Sequence, residues 1–284
     1  MIELSTRQEL ESELQRQRKQ GKSMGLVPTM GNLHAGHMSL VATAMELCDV
    51  VVVTIFVNPL QFGPTEDLAA YPRTPEQDIQ LLNHSGCEIL FTPAVSEIYP
   101  TGLDAHCKVI VPGLTREFCG ASRPGHFDGV TTVVAKLFNI IRPDMAFFGL
   151  KDYQQFLVIS KMVADLAMNV ELHAVETVRE ESGLALSSRN RYLSPEEKAY
   201  AARLFGMLST TADSIRGGNR NYPALESNAA QQLDSQAVSL DYFAIRNAED
   251  LRAADADTET IVILGAIRIG ATRLIDNIQL RLNP

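Results

Sequence analysis

Nothing in this chain restricts its fold as strongly as Asp49-Val50-Val51-Val52-Val53-Thr54-Ile55-Phe56-Val57, a nearly unbroken β-branched run. A strand with one wet face alternates apolar and polar residues. An uninterrupted run belongs to a parallel strand covered on both faces by helices. Shorter runs of this kind stand at Met24–Val27, Glu88–Phe91 and Met145–Phe148, with a short strand expected at Val109–Val111 and extended chain at Val170–Val178. Helical spacing fills the intervals. Leu10 and Leu14 mark a surface helix ending near Gly21, and Leu40, Val41, Ala44 and Leu47 mark one starting at about His37. Pro75–Leu82, Thr131–Ile141 and Gln154–Ala167 read as further helices, and Gly113–Gly129 as a Gly/Pro-rich loop. This alternation predicts an α/β domain, a Rossmann-like doubly wound parallel sheet, over residues 1–177.

The remainder has a different rhythm. Pro195–Ile215 and Pro223–Leu233 look helical, divided by Gly217-Gly218-Asn219. Leu240–Arg246, Thr260–Ile269 and Arg273–Leu280 read as strands joined by short polar links. A second, smaller α+β domain containing an antiparallel sheet is therefore expected over residues 178–284. A chain of 284 residues accommodates two such domains.

Bulk properties narrow the function. The net charge is −9 and no Lys/Arg run stands out, which argues against a nucleic-acid surface but leaves room for a small anion at a local positive site. Cys48, Cys87, Cys107 and Cys119 are widely spaced with no CxxC pair, so neither a zinc knuckle nor a disulfide framework is suggested. Four free thiols suit a reducing cytoplasm. The polar stretch Met1–Lys22 lacks the apolar core of a signal peptide, and no window approaches the roughly 20 apolar residues of a membrane span. A cytoplasmic protein with no membrane partner is expected.

Open α/β sheets bind ligands beyond the carboxyl ends of their strands. Four polar clusters fall there or just past the domain boundary: Pro28–His37, Asn58–Gln61, Gly149–Gln155 and Leu186–Asn190. They are expected to converge on a crevice between the domains. The first, Pro28-Thr29-Met30-Gly31-Asn32-Leu33-His34-Ala35-Gly36-His37, puts two imidazoles in a glycine-containing turn between strand and helix. Backbone N–H groups and a helix N-terminus at such a junction receive phosphate, so a nucleotide polyphosphate is the natural ligand. Plainer readings stand beside these. The histidines could merely cap a helix, and a zinc site lacks a third ligand. Asn58–Gln61 could be a turn, Lys151–Asp152 a solvated pair, and Ser187–Arg189 a turn as well. Arg123 and His126 could belong to a surface loop, and His84, His106 and His173 read as structural or exposed.

Taken in order, Val27–His37, Phe56–Phe62, Tyr71–Thr74, Gly120–Phe127, Phe148–Gln155 and Leu184–Asn190 together resemble the pantothenate synthetase (pantoate–β-alanine ligase) family, within the HIGH-type nucleotidyltransferase superfamily. The resemblance implies ATP-dependent condensation of (R)-pantoate with β-alanine to pantothenate, AMP and diphosphate through a pantoyl adenylate. It also implies magnesium with ATP, a homodimer, and a small C-terminal domain that closes over the nucleotide. It casts His34, His37, Lys151 and Arg189 as catalytic. ATP would be held by Met30, Gly31, Asn32, Leu33, Ala35, Gly36 and the two histidines, by Gly149, Leu150, Lys151 and Asp152, by Val178 at the adenine, and by Leu186, Ser187, Ser188 and Arg189 at the phosphates. Gln61 and Gln155 would bind pantoate, Gln61 would also meet β-alanine, and Asp78 would ligate magnesium. Two rivals remain: a nucleotidyltransferase acting on a phosphorylated acceptor, and a non-catalytic nucleotide sensor. Paired glutamines suit an uncharged hydroxyl-bearing acid better than a phosphate, which favours Arg or Lys.

Overall fold

The structure is a computed structural model and describes residues 1–64, 66, 68–255 and 258–282. It divides into two compact units: Met1–Gly149 with Gln154–Glu176, and Leu150–Tyr153 with Thr177 onward.

In the first unit the chain runs β1 (Ile2–Leu4), α1 (Arg7–Arg18), β2 (Met24–Thr29), α2 (Ala35–Leu47), β3 (Val50–Ile55), α3 (Pro75–Ser85) and β4 (Ile89–Phe91). Two single-turn helices, α4 (Val95–Ile98) and α5 (Cys119–Ser122), precede α6 (His126–Ile141), β5 (Met145–Gly149), α7 (Tyr153–Asp165) and β6 (Glu171–Val175). The strands form one sheet in the order β1-β4-β3-β2-β5-β6, every pair parallel. Val50 to Val53 of β3 are fully buried, as an interior strand covered on both faces requires. On one face Leu40, Val41 and Ala44 of α2 and Leu82 of α3 pack over Val27, Val51, Val53 and Phe147. On the other, Phe138 of α6 meets Phe148 edge-on, and α1 packs against α6.

The strand order places the topological switch between β2 and β5. These two strands pair only through Gly25–Met145 and Leu26–Ala146. Beyond that point Val27–Thr29 pairs with β3 alone and Phe147–Gly149 with β6 alone. The carboxyl ends of β2 and β5 are therefore unpaired with each other, at the switch point where such folds bind ligands.

Several expectations need correction. Val109–Val111 is not a strand. Its backbone is met instead by α6 side chains, with Thr132 Oγ1 accepting from Val109 N at 3.0 Å and Thr131 Oγ1 donating to Val109 O at 2.5 Å. The region 113–129 is not wholly loop, because α6 begins at His126, five residues before the expected Thr131, and α5 precedes it. Strand β1 at the sheet edge had no signal strong enough to be read.

The second unit holds α8 (Pro195–Arg216), α9 (Tyr222–Leu233), β7 (Ser239–Asn247), β8 (Thr260–Ile269) and β9 (Thr272–Arg281). Its sheet is β7-β8-β9, antiparallel throughout, as expected. Leu204, Leu208 and Ile215 of α8 and Ala229 and Leu233 of α9 pack with Ile245, Ile263 and Ile267 in its core.

Candidate active site

The turn after β2 is fastened at both ends before any ligand arrives. Thr29 Oγ1 donates to Thr54 O at 2.7 Å and accepts from Gly31 N at 3.1 Å. Gly31 (φ 80°) and Asn32 (φ 52°) are left-handed, a conformation that glycine and asparagine tolerate best. A Cβ on Gly31 would also lie 2.9 Å from Ile55 Cγ2. The next two N–H groups, of Asn32 and Leu33, donate to Asp78 Oδ2 at 2.9 Å and Oδ1 at 2.8 Å, and the Thr74 hydroxyl donates to Oδ1 at 3.1 Å. Asp78 is thus not placed as a magnesium ligand. Its carboxylate is 1% exposed and both oxygens are occupied in shaping the turn. Among the described residues no three His, Cys, Asp or Glu side chains gather as a metal site.

The two histidines build the start of α2. His34 is its N-cap, with Nδ1 accepting from Gly36 N at 3.1 Å, and His37 Nδ1 accepts from His34 N at 3.4 Å, completing a reciprocal capping box. A ring nitrogen that accepts carries no proton, so in each neutral ring the proton sits on Nε2. The ring centroids are 4.1 Å apart at 39°. The expectation that backbone N–H groups of this turn receive phosphate is corrected here. Those of Gly31, Asn32, Leu33, His34 and Gly36 already donate within the protein.

Gln61 lies in the turn after β3, where Asn58 caps Pro59–Gln61. It is buried, its Nε2 donates to Met30 Sδ at 2.9 Å, and its Oε1 accepts from Asn58 Nδ2 at 3.3 Å. Asn58 also donates to Gly129 O at 3.1 Å and accepts from the Tyr99 hydroxyl at 2.9 Å. Burial pushes the Tyr99 phenol well above its ordinary range, so it stays a donor. Helix α6 comes so close that a Cβ on Gly129 would collide with Leu60 O and stand 2.6 Å from Gln61 N. His126 Nδ1 lies 2.8 Å from Gln61 O and its Nε2 lies 3.0 Å from Arg123 Nη1. Since a carbonyl only accepts and a guanidinium only donates, His126 is the neutral Nδ1–H tautomer. Arg123 also holds Glu66 through two bonds of 2.7 and 2.6 Å. Arg123 and His126 are therefore built into the site's support. Tyr99 had no motif to betray it, because its partner lies 41 residues away.

The adjacent glutamines divide. Gln154 is buried and holds Leu114 O, Glu117 O and Cys119 N at 2.6, 2.9 and 3.0 Å. Gln155, half-buried, makes no side-chain hydrogen bond among the described residues.

In the second unit, Lys151 Nζ stands 3.5 Å from both Asp152 oxygens, a loose pair. Leu150 and Lys151 offer their carbonyls to Asn277 Nδ2 at 2.8 and 3.1 Å. Val178 O accepts from Leu186 N at 2.9 Å, closing a short hairpin before Ser187. Ser187 caps the turn Ser188–Tyr192 by accepting from Arg189 N at 3.3 Å, and Asn190 donates to Ala185 O at 3.0 Å.

A doubly wound sheet whose switch point carries paired Nε2–H donors defines a nucleotide-binding α/β protein. Sequence comparison narrows that class: residues 3–279 match the pantoate-beta-alanine ligase family. A pantothenate synthetase of Pseudomonas fluorescens is 52% identical over 283 residues, covering 100% of this chain and 99% of that protein. The crystal structure of a Thermus thermophilus pantothenate synthetase is similar at TM-score 0.91 and 43% identity, covering 98% of this chain and 99% of its own. A Francisella tularensis pantoate-beta-alanine ligase, complexed with beta-gamma ATP and beta-alanine, is similar at TM-score 0.82 and 34% identity, covering 98% and 97%. The chain belongs to the pantoate–β-alanine ligase family.

Proposed function

We propose that this protein condenses (R)-pantoate with β-alanine at the expense of ATP, releasing AMP and diphosphate. The observation that carries this reading is the His34–His37 capping box, which fixes two Nε2–H donors at the unpaired carboxyl ends of β2 and β5. The Francisella relative's complex with beta-gamma ATP and beta-alanine supports it.

In the first step a pantoate carboxylate oxygen attacks the α-phosphorus of ATP. A P–O bond forms, the bond to the bridging α–β oxygen breaks, and diphosphate leaves with its electron pair. His34 and His37 donate to oxygens on which negative charge grows, a contribution made in the transition state. We assign Lys151, Ser187 and Arg189 to the departing phosphates, with Leu186, Ser188 and Asp152 completing their segments. Met30, Gly149, Leu150 and Val178 border the nucleoside. Gln61 and Gln155 orient pantoate by neutral amide contacts. In the second step the β-alanine amine, alongside Gln61, attacks the acyl carbon. The C–N bond forms, the acyl C–O bond to the phosphate breaks, AMP leaves with its electron pair, and the amine's proton passes to water. Magnesium, entering with ATP, would offset the negative charge of its phosphates. We further assign the protein to the cytoplasm as a homodimer; its four cysteines are free thiols. No helix among the described residues is long and apolar enough to cross a membrane.

The test is one incubation with ATP, magnesium and pantoate, with and without β-alanine. AMP and pantothenate rising in equal amounts only in the complete mixture supports the reading; no AMP under any condition refutes it.

A further inference from the structure

Two neighbouring residues of β9, Asp276 and Asn277, do more than extend a strand. Both are buried polar side chains, 5% and 7% exposed. Asp276 pairs in register with Gly265 and Asn277 with Leu264. A Cβ on Gly265 would meet Leu204 Cδ1 of α8 at 2.6 Å, so Gly265 and Asp276 face α8, and Asn277 faces the opposite side. On the α8 face Asp276 takes both ends of the Arg179 guanidinium, at 2.5 and 2.9 Å, and Arg179 stacks on Phe205 at 3.9 Å. Arg179 opens the hairpin that leads into Ser187 and Arg189. On the other face Asn277 Nδ2 gathers the carbonyls of Leu150 and Lys151. Asn277 N donates to Asp276 Oδ1 at 2.8 Å, so the two grips share one fixing point.

We propose that Asp276 and Asn277 are positioning residues that set the Lys151 turn and the Ser187–Arg189 turn in fixed register to each other. Two segments far apart in sequence are tied to adjacent residues, about 3.4 Å apart along one strand. The pair acts through the two cationic side chains and touches no substrate. The inference rests on the function proposed above.

The test is a double-mutant cycle on the full chain, measuring single-turnover adenylation and the KM for pantoate. Asn277→Ala and Asn277→Ser each remove the amide donor without adding charge. Each is expected to slow adenylation by about 10- to 100-fold, the scale of a misplacement near 1 Å, with the KM for pantoate within about twofold of wild type. Lys151→Ala combined with Asn277→Ala is expected to be slower than Lys151→Ala alone by far less than the loss that Asn277→Ala causes in the wild type, because only the lesser contacts of Leu150 and Asp152 remain to be misplaced. Losses that multiply would assign Asn277 a general structural role and overturn the proposal. Wild-type rates in both Asn277 variants, or loss of folding in both, would overturn it too. A wild-type protein that forms no adenylate would instead refute the function on which it rests.

Discussion

Gly129→Ala tests whether α6 positions Gln61. The added methyl would collide with Leu60 O and sit 2.5 Å from Leu60 C and 2.6 Å from Gln61 N, all backbone atoms. An ordinary carbon contact is about 3.5 Å or more, so helix and turn must part by roughly 1 Å. No flexible side chain can yield in their place. That movement stretches the Asn58 bond to Gly129 O and the His126 bond to Gln61 O, now 3.1 and 2.8 Å. Overpacking of this kind costs about 1–3 kcal/mol. At about 2–4 °C per kcal/mol for a chain of this size, the melting temperature should fall by roughly 2–12 °C. The functional loss should be larger in proportion, because an error near 1 Å in a substrate contact costs about 10²-fold in kcat/KM for pantoate. Steady-state kinetics with pantoate varied at saturating ATP, together with a thermal melt, reads both. A variant with wild-type kcat/KM for pantoate and an unchanged melting temperature would show that the turn accommodates the methyl and that α6 does not set Gln61.

Three further outcomes are expected. His34→Asn keeps an N-cap acceptor while deleting the Nε2 donor, so its melting temperature should stay near wild type while adenylation falls by about 10²–10³-fold; an unchanged single-turnover rate would remove His34 from the chemistry. Asp78→Ala should lose roughly 3 kcal/mol or more, since two buried N–H groups are orphaned, yet leave the magnesium concentration for half-maximal rate unchanged; a raised requirement would return Asp78 to the metal. Burial, with a smaller push from nearby Glu88, raises the Cys87 thiol to about 11 against an ordinary 9.0. The folded state then holds its proton longer than the unfolded one, so stability is complete below about pH 9 and declines towards pH 11, by about 3 kcal/mol for this group. Denaturant midpoints across that range check the sign, and a flat profile would contradict it.

What could be read in advance was whatever is encoded locally. The Val50–Val53 run announced a doubly covered strand by itself, and the His34–His37 spacing announced a strand-to-helix turn. Long-range pairing hid the rest. Asp78 was cast as a ligand by the family resemblance alone; only the fold shows it facing N–H groups 46 and 45 residues earlier. Asn277 stands 127 residues from the carbonyl it binds, and nothing in Leu274–Leu280 beyond two polar residues at interior positions could have marked it. Val109–Val111 has the composition of a strand but no neighbouring strand to join, so α6 hydroxyls took its backbone groups instead. A polar residue inside an apolar strand is the one signal that the sequence carries there.

The site follows a consistent physical division in which one atom of a group is bound to the protein while another is directed elsewhere. Each imidazole gives Nδ1 to its own helix, and that acceptor role is what leaves the proton on Nε2. Of two consecutive glutamines, Gln154 secures the 114–119 segment so that Gln155 need not. Preorganisation explains the pattern. A donor aimed at developing charge is useful only if it does not reorient when the charge appears, and a ring pinned at one nitrogen cannot turn without breaking a helix cap. In the proposed reaction, donors at Nε2 would contribute chiefly as charge accumulates at the reacting centre. The cost of holding the rings falls on α2, whose first turn is capped by the same side chains; fold stability and rate enhancement are therefore separable only by substitutions, such as asparagine, that preserve one nitrogen's role and abolish the other's.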